Sequence, residues 1–421
     1  MLLSLLSLRR IVVLALVLTA LAPFAYAAKP QKEMSVNVLK FGVKGDGVTD
    51  DTKAFQKAIY AVAKTGGGVI NIPVGKYMIK GHLYVPPLVT LQGVAQSPYS
   101  DMSMEGASVL LAVEGEGNPD GPPFIFLHAD CTLKGVTIFY PNQGKNGLKP
   151  YPWTISGDGD GVSIIDCFII NPWQAVDFGR HPCGRHLIRG VNMGPLYKGI
   201  FVDACYDVGR IEDVHIFPFV GWKGEVKEQI SKNATAFIFA KTDWQYVTNC
   251  FSFGYKTGFL FTKGFKERTG NVVITQSGAD DGDICVQVDA AQPHSGVAFN
   301  NCQFMGTVVI KPTNNAPIKF SNCGFWPVNS TDNFAYLEGT GNTTFTGCHF
   351  LDWGRKNPES ACIVAKSGSL IVNGCDFMSG KTHIKLEEGV GSANIFGNKL
   401  RGGAKIINES KGTVQIGLNV D

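Results

Sequence analysis

Two aspartates, Asp177 and Asp203, stand in similar apolar segments, AVDFG and GIFVDAC, 26 residues apart. An aspartate in an apolar strand either faces a polar cleft or is buried at a high cost in free energy unless it is paired. If two carboxyl groups face one cleft, their repulsion keeps one protonated as a general acid, while the other serves as base or nucleophile. The pair therefore predicts the cleavage of a glycosidic bond.

A basic cluster follows Asp177 and consists of Arg180, His181, Arg185, His186 and Arg189. Arginine binds carboxylate or sulfate bidentately, and histidine exchanges protons near neutral pH. We predict that His181 assists catalysis and that Arg180, Arg185 and His186 bind an acidic sugar. The alternative is that the cluster forms ion pairs with carboxylates on neighbouring turns of the chain.

Two interruptions of the apolar pattern carry aromatic residues beside polar ones. The first, 140–161, contains Trp153, and the second, 220–233, contains Trp222 and Lys223. Aromatic faces suit sugar rings, whose faces are apolar and whose edges carry hydroxyl groups. The interruptions are predicted to be loops that wall a groove and bind sugar through these three side chains, and the alternative is that the aromatic residues only anchor the loops.

Asp243 and Trp244 end the apolar segment that follows the second interruption. Their position predicts a third carboxylate in the groove, beside a further sugar contact. The acidic run SGADDGD, 277–283, offers hard oxygen ligands, but its spacing does not complete a calcium loop. We predict no metal or other cofactor, with calcium at this run as the alternative.

The elements that must position these residues follow from an internal repeat. Cys302, Cys323, Cys348 and Cys375 are separated by 21, 25 and 27 residues, and each is followed by a phenylalanine two positions later. Short apolar runs, separated by Gly, Asn, Asp or Pro, recur with this period, which is typical of a solenoid of parallel strands. Alternate residues of a strand share one face, so the cysteines and phenylalanines are predicted to stack inside the coil.

The segment FGVKGDGVTDDTKAFQKAI, 41–59, followed by GGGVINIPVGKYMI, resembles the N-terminal signature of the pectate-lyase-like, polygalacturonase-related β-helix proteins. The resemblance implies an all-β, right-handed parallel β-helix with an N-terminal cap over about 36–80. Asp50 or Asp51 is predicted to cap a helix from about Thr52 to Ala63. The carboxylates of this signature are therefore predicted to build the fold rather than to catalyse.

The polygalacturonases place catalytic carboxylates on adjacent coils, and this resemblance supports the same arrangement for Asp177 and Asp203. The chain departs from that family in other respects, since it has no Gly-His-Gly motif and no Arg-x-Lys pair at the expected later coil. The resemblance therefore implies a carbohydrate-active enzyme and leaves the specific polygalacturonase activity open.

The first residues predict export. Arg9 and Arg10 precede the apolar run 11–22, and Ala25-Tyr26-Ala27 resembles a cleavage site, so residues 1–27 are predicted to be a signal peptide. The expected location is periplasmic or extracellular. Because the formal net charge is only +3, no nucleic-acid partner is predicted, and no later apolar run is long enough to span a membrane.

Together these features predict an exported enzyme with one β-helix domain over 28–421. Its partner is expected to be a polysaccharide or oligosaccharide, which it hydrolyses with Asp177 and Asp203 and with Asp243 in support. A polysaccharide lyase acting on a uronate, or a non-catalytic carbohydrate-binding or structural β-helix, are the alternatives.

Overall fold

The computed structural model describes residues 35–95, 104–218, 223–328 and 331–421. From Ser35 onward these residues form one compact unit. The predicted signal peptide lies outside the described residues, and so does Trp222. Within the described residues the strands form parallel ladders, as the repeat predicted, and the fold is an all-β parallel solenoid.

Most turns of the solenoid contribute a strand to each of three parallel ladders. The first ladder carries the candidate site. Its strands are Leu83–Val85, Ile125–His128, Trp153–Asp158, Gln174–Phe178, Lys198–Val202, Thr235–Phe239, Thr257–Phe261, Ile284–Val288, Thr307–Ile310, Ala335–Leu337, Ile363–Asn373, Ile384–Phe396 and Ile406–Asn408.

The second ladder joins the first through the two long strands Ile363–Asn373 and Ile384–Phe396. Its other strands are Ser35–Asn37, Gly68–Asn71, Val89–Gln92, Thr132–Lys134, Ser163–Ile165, Leu187–Arg189, Arg210–Glu212, Gln245–Thr248, Val272–Thr275, Val297–Asn300, Ile318–Ser321, Asn342–Thr346 and Thr413–Gly417.

The third ladder is a separate sheet, with 14 strands in the described part of the chain. They are Asp46–Asp50, Gly75–Ile79, Ser108–Ala112, Thr137–Phe139, Phe168–Ile170, Asn192–Met193, His215–Ile216, Phe251–Phe253, Gly278–Asp280, Gln303–Phe304, Gly324–Phe325, His349–Phe350, Asp376–Phe377 and Lys399–Leu400.

The predicted cysteine and phenylalanine columns are confirmed. The rings of Phe304, Phe325, Phe350 and Phe377 follow one another with centroid separations of 5.4, 4.8 and 4.7 Å. All eleven cysteines lie in the described residues, where each is a buried free thiol. Cys323, for example, directs its thiol to the carbonyl oxygens of Phe299 and Ser321. The cysteines therefore act as small apolar residues of the core.

The opening carboxylates shape the backbone. Asp51 is buried and accepts hydrogen bonds from the backbone N–H groups of Lys44 and Gly45 at 2.7 and 3.0 Å. Its side chain does not cap the helix Thr52–Ala63, whereas Asp50 accepts a hydrogen bond from the N–H of Thr52 at 3.0 Å. The helix buries one face in the core of the solenoid. That it closes the end of the solenoid stays a prediction.

Both interruptions differ from the predicted loops. The strand Trp153–Asp158 lies within 140–161, and Gly224–Asn233 is a helix within 220–233. Val226 and Ile230, four residues apart, both pack against the core, and four residues bring side chains onto one helix face. Glu228 and Lys232 pair with the same spacing on the exposed face. A 3₁₀ helix, Val38–Phe41, also lies near the start of the described chain.

Candidate active site

The candidate site lies on the outer face of the first ladder. Phe126, Ser156, Asp177 and Phe201 are register partners on four consecutive strands. Side chains alternate between the two faces of a strand, and the neighbours of this row, such as Val176, are buried in the core. The four residues therefore form one row that points away from the core, and Asp177 lies within it.

Asp177 has a buried carboxylate in an asymmetric environment. Its Oδ1 accepts hydrogen bonds from the backbone N–H groups of Gly179 and Arg180, at 3.0 and 3.1 Å. Its Oδ2 lies 3.4 Å from Arg180 Nε but has no partner with hydrogen-bond geometry among the described residues. Burial raises the pKa of Asp177, while the two backbone bonds and the charges of Arg180 and His181 oppose the shift. A raised pKa suits a proton donor.

Asp203 does not stack on Asp177, so the predicted alignment of AVDFG with FVDAC is wrong. The strands pair Val176 with Ile200 and Asp177 with Phe201, which leaves Asp203 two positions further along. Its carboxylate accepts backbone N–H groups of Ala204, Lys241 and Phe265 at 2.7, 3.0 and 2.8 Å. Because these bonds occupy both oxygens, they favour a positioning role over acid–base catalysis.

Two adjoining cavities open on this face and share Arg180 and Phe265. The first, of about 180 Å³, is lined by Gly179, Arg180, Pro182, Asp203, Ala204, Tyr206, Lys241, Phe265, Lys266 and Arg268. The second, of about 390 Å³, is lined by Asp120, Trp153, Gln174, Arg180, Lys198, Phe201, Ile238, Leu260 and Phe265. The linings include five cationic side chains and two carboxylates of the described chain. Two of the cations, Arg180 and Lys241, also pair with Asp177 and Asp243 behind the linings, so the combined groove keeps a positive excess.

The ammonium group of Lys198, which lines the second cavity, has a lowered pKa. Burial lowers the pKa of its ammonium group, and the charge of Arg180 lowers it further, while Asp120 and Asp177 act in the opposite direction. Because the pKa is lowered, a larger fraction of the Lys198 side chain is the neutral amine at a given pH. Lys198 can therefore accept a proton more readily than an ordinary lysine.

The predicted aromatic contact Trp153 lies in the second cavity, although the residue is only 4% exposed. Its ring stacks on Phe201 with centroids 6.3 Å apart, and Phe201 meets the ring of Phe265 edge-on at 5.8 Å. Phe265 is 71% exposed and covers the junction of the two cavities. Trp153 therefore offers a small edge to a ligand, whereas Phe265 offers most of its ring.

The basic cluster divides into three environments. His181 is exposed, and its ring meets Phe126 edge-on at 5.5 Å. Arg185 pairs with Asp160 and lines neither cavity. His186 is fully buried, and its Nδ1 lies 2.8 Å from the carbonyl oxygen of Cys183.

The prediction that His186 binds substrate is wrong, because the ring has no exposed surface. Burial lowers its pKa to about 4. His186 is a neutral core residue at physiological pH.

The remaining candidates lie outside the linings of both cavities. Asp243 pairs with Lys241, which does line the first cavity. Trp244 is 57% exposed, and its backbone N–H donates to Asn271 Oδ1. Lys223 is exposed and precedes the helix Gly224–Asn233. The substrate contacts of Trp244 and Lys223 thus stay predictions, and Asp243 is placed to act through Lys241.

Sequence reasoning missed the segment 262–271, TKGFKERTGN, which supplies Phe265, Lys266 and Arg268 to the groove. Its signal is a polar, basic interruption with one aromatic residue between two apolar strands. Lys198 was missed because it stands alone at the start of its strand, Lys198–Val202.

Neither a metal site nor a membrane span emerges from the described ranges. No group of three or more His, Cys, Asp or Glu side chains in 35–95, 104–218, 223–328 and 331–421 is arranged to hold a metal ion. The acidic run 277–283 lies within these ranges. No helix in those ranges is long and apolar enough to cross a membrane.

Comparison with known families identifies the N-terminal segment. Residues 35–116 match the family model described as rhamnogalacturonase A/epimerase, pectate lyase-like. This segment is pectate-lyase-like. The resemblance predicted from 36–80 is thereby confirmed.

A curated relative matches the chain over a short stretch only. Alginate lyase 7 of Azotobacter vinelandii is 54% identical over 48 residues, which are 11% of this chain and 6% of the relative. The chain thus spans a small part of the length of that relative.

Two solved structures are similar in fold to this chain. The mannuronan C-5 epimerase AlgE6 A-module of Azotobacter vinelandii has a TM-score of 0.56 at 14% identity, covering 91% of this chain and 98% of its own. The DFA-IIIase of Arthrobacter chlorophenolicus A6 without its lid has a TM-score of 0.52 at 11% identity, covering 91% and 100%. At these identities the likeness concerns the fold alone.

Proposed function

We propose that this protein is an enzyme acting on a uronate-containing polysaccharide, and that its reaction begins with removal of the proton at C5 of a uronate. The observation that carries the proposal is the electropositive groove, in which five cationic side chains and two carboxylates line adjoining cavities. Arginine and lysine at such density favour a ligand that bears regularly spaced carboxylates.

The side chains of the groove suit three distinct tasks. Arg180 and Arg268 bind the uronate carboxylate, and neutralising its charge makes the C5 proton more acidic. The amine of Lys198 accepts that proton, as its lowered pKa permits. In β-elimination the bond between C4 and its oxygen then breaks, and a double bond forms between C4 and C5. Asp177 protonates the departing oxygen after a movement of Arg180 uncovers its fully buried carboxyl group. In epimerisation a proton instead returns to C5 from the opposite face.

The relatives support this class of chemistry. The relative with a local match is named an alginate lyase, and the solved structure covering 91% of the chain is named a mannuronan C-5 epimerase. Elimination and epimerisation share the first step of proton removal. Arg180 and Lys198 line the groove, and Asp177 lies beside Arg180 without lining either cavity. These positions support the proposal of proton removal, and the choice between the two outcomes belongs to the test.

Hydrolysis of a glycosidic bond is the second candidate, and Asp177 is the observation that favours it. A buried carboxyl group with a raised pKa and an oxygen free of hydrogen bonds in the described structure is a suitable general acid. Asp203 is engaged by three backbone N–H groups, so the second carboxylate of this mechanism would be Asp120, which lines the second cavity.

One incubation experiment separates these reactions. The purified protein is incubated in deuterium oxide with alginate, polygalacturonate, a sulfated glycan and a neutral glucan. We expect unsaturated uronate by ultraviolet absorbance, or deuterium at C5 by NMR, with the uronate polymers only. New reducing ends without either signal would favour hydrolysis. Absence of every change with all four polymers would contradict the proposal of a uronate-active enzyme.

A further inference from the structure

An aromatic surface continues the groove on the other side of Asp177. Tyr84 and Phe126 are register partners on consecutive strands of the first ladder, with ring centroids 6.3 Å apart. Phe126 meets the rings of His128 and His181 edge-on at 4.9 and 5.5 Å. His181 connects this surface to Asp177, four residues before it in the chain.

The charge on this side of Asp177 differs from that of the groove. His128 Nδ1 lies 3.8 Å from Asp158 Oδ2, and Arg185 pairs with Asp160. His128 and Arg185 thus each lie beside a carboxylate of the same surface. In the groove this holds for Arg180 and Lys241, whereas Lys198, Lys266 and Arg268 have no salt-bridge partner among the described residues. Tyr84 is 42% exposed, and the partly exposed His128 and Asp158 place polar groups beside the aromatic rings.

We propose that Tyr84 and Phe126 form a binding platform for a neutral sugar of the substrate, so that the substrate is a heteropolymer in which neutral sugars accompany the uronate. The inference rests on the proposed function, because it assigns the uronate to the electropositive groove and its neutral neighbour to the platform. The aromatic rings contact an apolar sugar face, and His128 and Asp158 exchange hydrogen bonds with hydroxyl groups.

The register supports one continuous binding surface. Tyr84, Phe126, Ser156, Asp177 and Phe201 occupy successive rungs of the first ladder. At about 4.8 Å per rung, the row from Tyr84 to Phe201 extends over about 19 Å, enough for several sugar units. A chain lying along this row places different sugars on the platform and in the groove.

Direct binding tests the platform independently of catalysis. The full chain and its variants are applied to an array of neutral, uronate-only and mixed oligosaccharides. We expect Phe126→Ala and Tyr84→Ala each to weaken binding of neutral and mixed glycans by about fivefold, the scale of one aromatic contact, and to leave uronate-only glycans unchanged. The side-chain amide of Gln56 forms hydrogen bonds only with the backbone N–H and C=O groups of Tyr84. Substitution of the Tyr84 side chain therefore preserves these bonds.

Tyr246→Ala is the matched control, because Tyr246 is also an exposed aromatic residue, 39% exposed, but lies on the strand Gln245–Thr248 of the second ladder. Equal losses in the control and the platform variants, or no neutral or mixed glycan whose binding depends on Phe126, would overturn the platform. Uronate binding retained in that case would leave the proposed function standing. Neutral binding at Phe126 without any uronate binding would instead contradict the proposed function.

Discussion

The backbone N–H of Phe265 donates a hydrogen bond of 2.8 Å to Asp203 Oδ2, across 62 residues of sequence. The other oxygen of Asp203 accepts the N–H groups of Ala204 and Lys241. The carboxylate of Asp203 thus connects the end of the strand Lys198–Val202 to two later turns of the solenoid. These turns carry Lys241 and Phe265, whose side chains line the first cavity. Asp203 shapes the groove through the backbone.

Replacing Asp203 is therefore expected to loosen the segment 262–271 before it affects chemistry. For Asp203→Ala we expect a decrease of about 2–4 kcal/mol in the free energy of unfolding, because three N–H groups lose a charged acceptor. Hydrogen exchange at Phe265 should accelerate, and KM for a uronate polymer should rise more than kcat falls. Chemical denaturation, exchange mass spectrometry and steady-state kinetics measure the three effects.

Asp207→Asn is the control for this variant, because Asp207 is an exposed aspartate near Asp203 and asparagine tolerates its positive φ of 65°. If Asp203→Asn retained the exchange protection of Phe265 but lost all turnover, the positioning role would be wrong and Asp203 would be a catalytic acid or base.

Gly264 is expected to tolerate no side chain. A Cβ atom at this position would collide with the carboxylate of Asp203. Gly264→Ala should therefore displace the segment 262–271 and reproduce the kinetic effect of Asp203→Ala. Gly106→Ala provides the comparison, since a Cβ there meets nothing within 4 Å. Additive effects in the double variant Asp203→Ala/Gly264→Ala would argue against a shared cause.

The fold was predictable because its signals are local and repeated. The Cys-x-Phe repeat follows the alternation of a strand, so Cys323 and Phe325 indicate both the element and its inward face. The helix Gly224–Asn233 was missed, although Val226 and Ile230 have helical spacing, because this spacing occurs once and within an interruption of the repeat.

The site was less predictable, because it depends on register and on loops. A shift of two residues between Asp177 and Asp203 separates their roles, and the similar motifs AVDFG and FVDAC carry no information about that shift. His186 could not be distinguished from His181 by sequence, since both are histidines in the same basic run, yet one is fully buried and the other is exposed.

His186 is expected to control stability rather than substrate binding. Its pKa is lowered to about 4 from an ordinary value of 6.5, so the unfolded chain binds a proton first as the pH falls. The free energy of unfolding should therefore decrease between pH 6.5 and pH 4, by about 3 kcal/mol from this group. In His186→Gln this pH dependence should be smaller, with KM unchanged. Thermal unfolding across that pH range, with His294→Gln as control, tests the assignment.

Asp177 is expected to show the opposite dependence on pH. Because burial raises its pKa above 3.8, the carboxyl group ionises in the unfolded chain before it does so in the native protein. Its contribution to stability is fully present below pH 3.8 and is lost as the pH rises through the raised pKa. Relative to Asp177→Asn, the wild type should therefore become less stable over this rise in pH. Parallel thermal unfolding curves of the two proteins at every pH would contradict the raised pKa.

Lys198→Arg should separate binding from proton transfer. Arginine keeps the positive charge but does not lose its proton at accessible pH, so a proton acceptor at this position is removed while the attraction for a carboxylate remains. We expect kcat on a uronate polymer to fall by about 10²–10⁴, the usual contribution of a general base, with little change in affinity. In the wild type, kcat should rise with pH through the lowered pKa of Lys198. Lys263→Arg, an exposed lysine paired with Glu267, is the matched control. Equal kcat in Lys198→Arg and the wild type would show that the proton acceptor is another group.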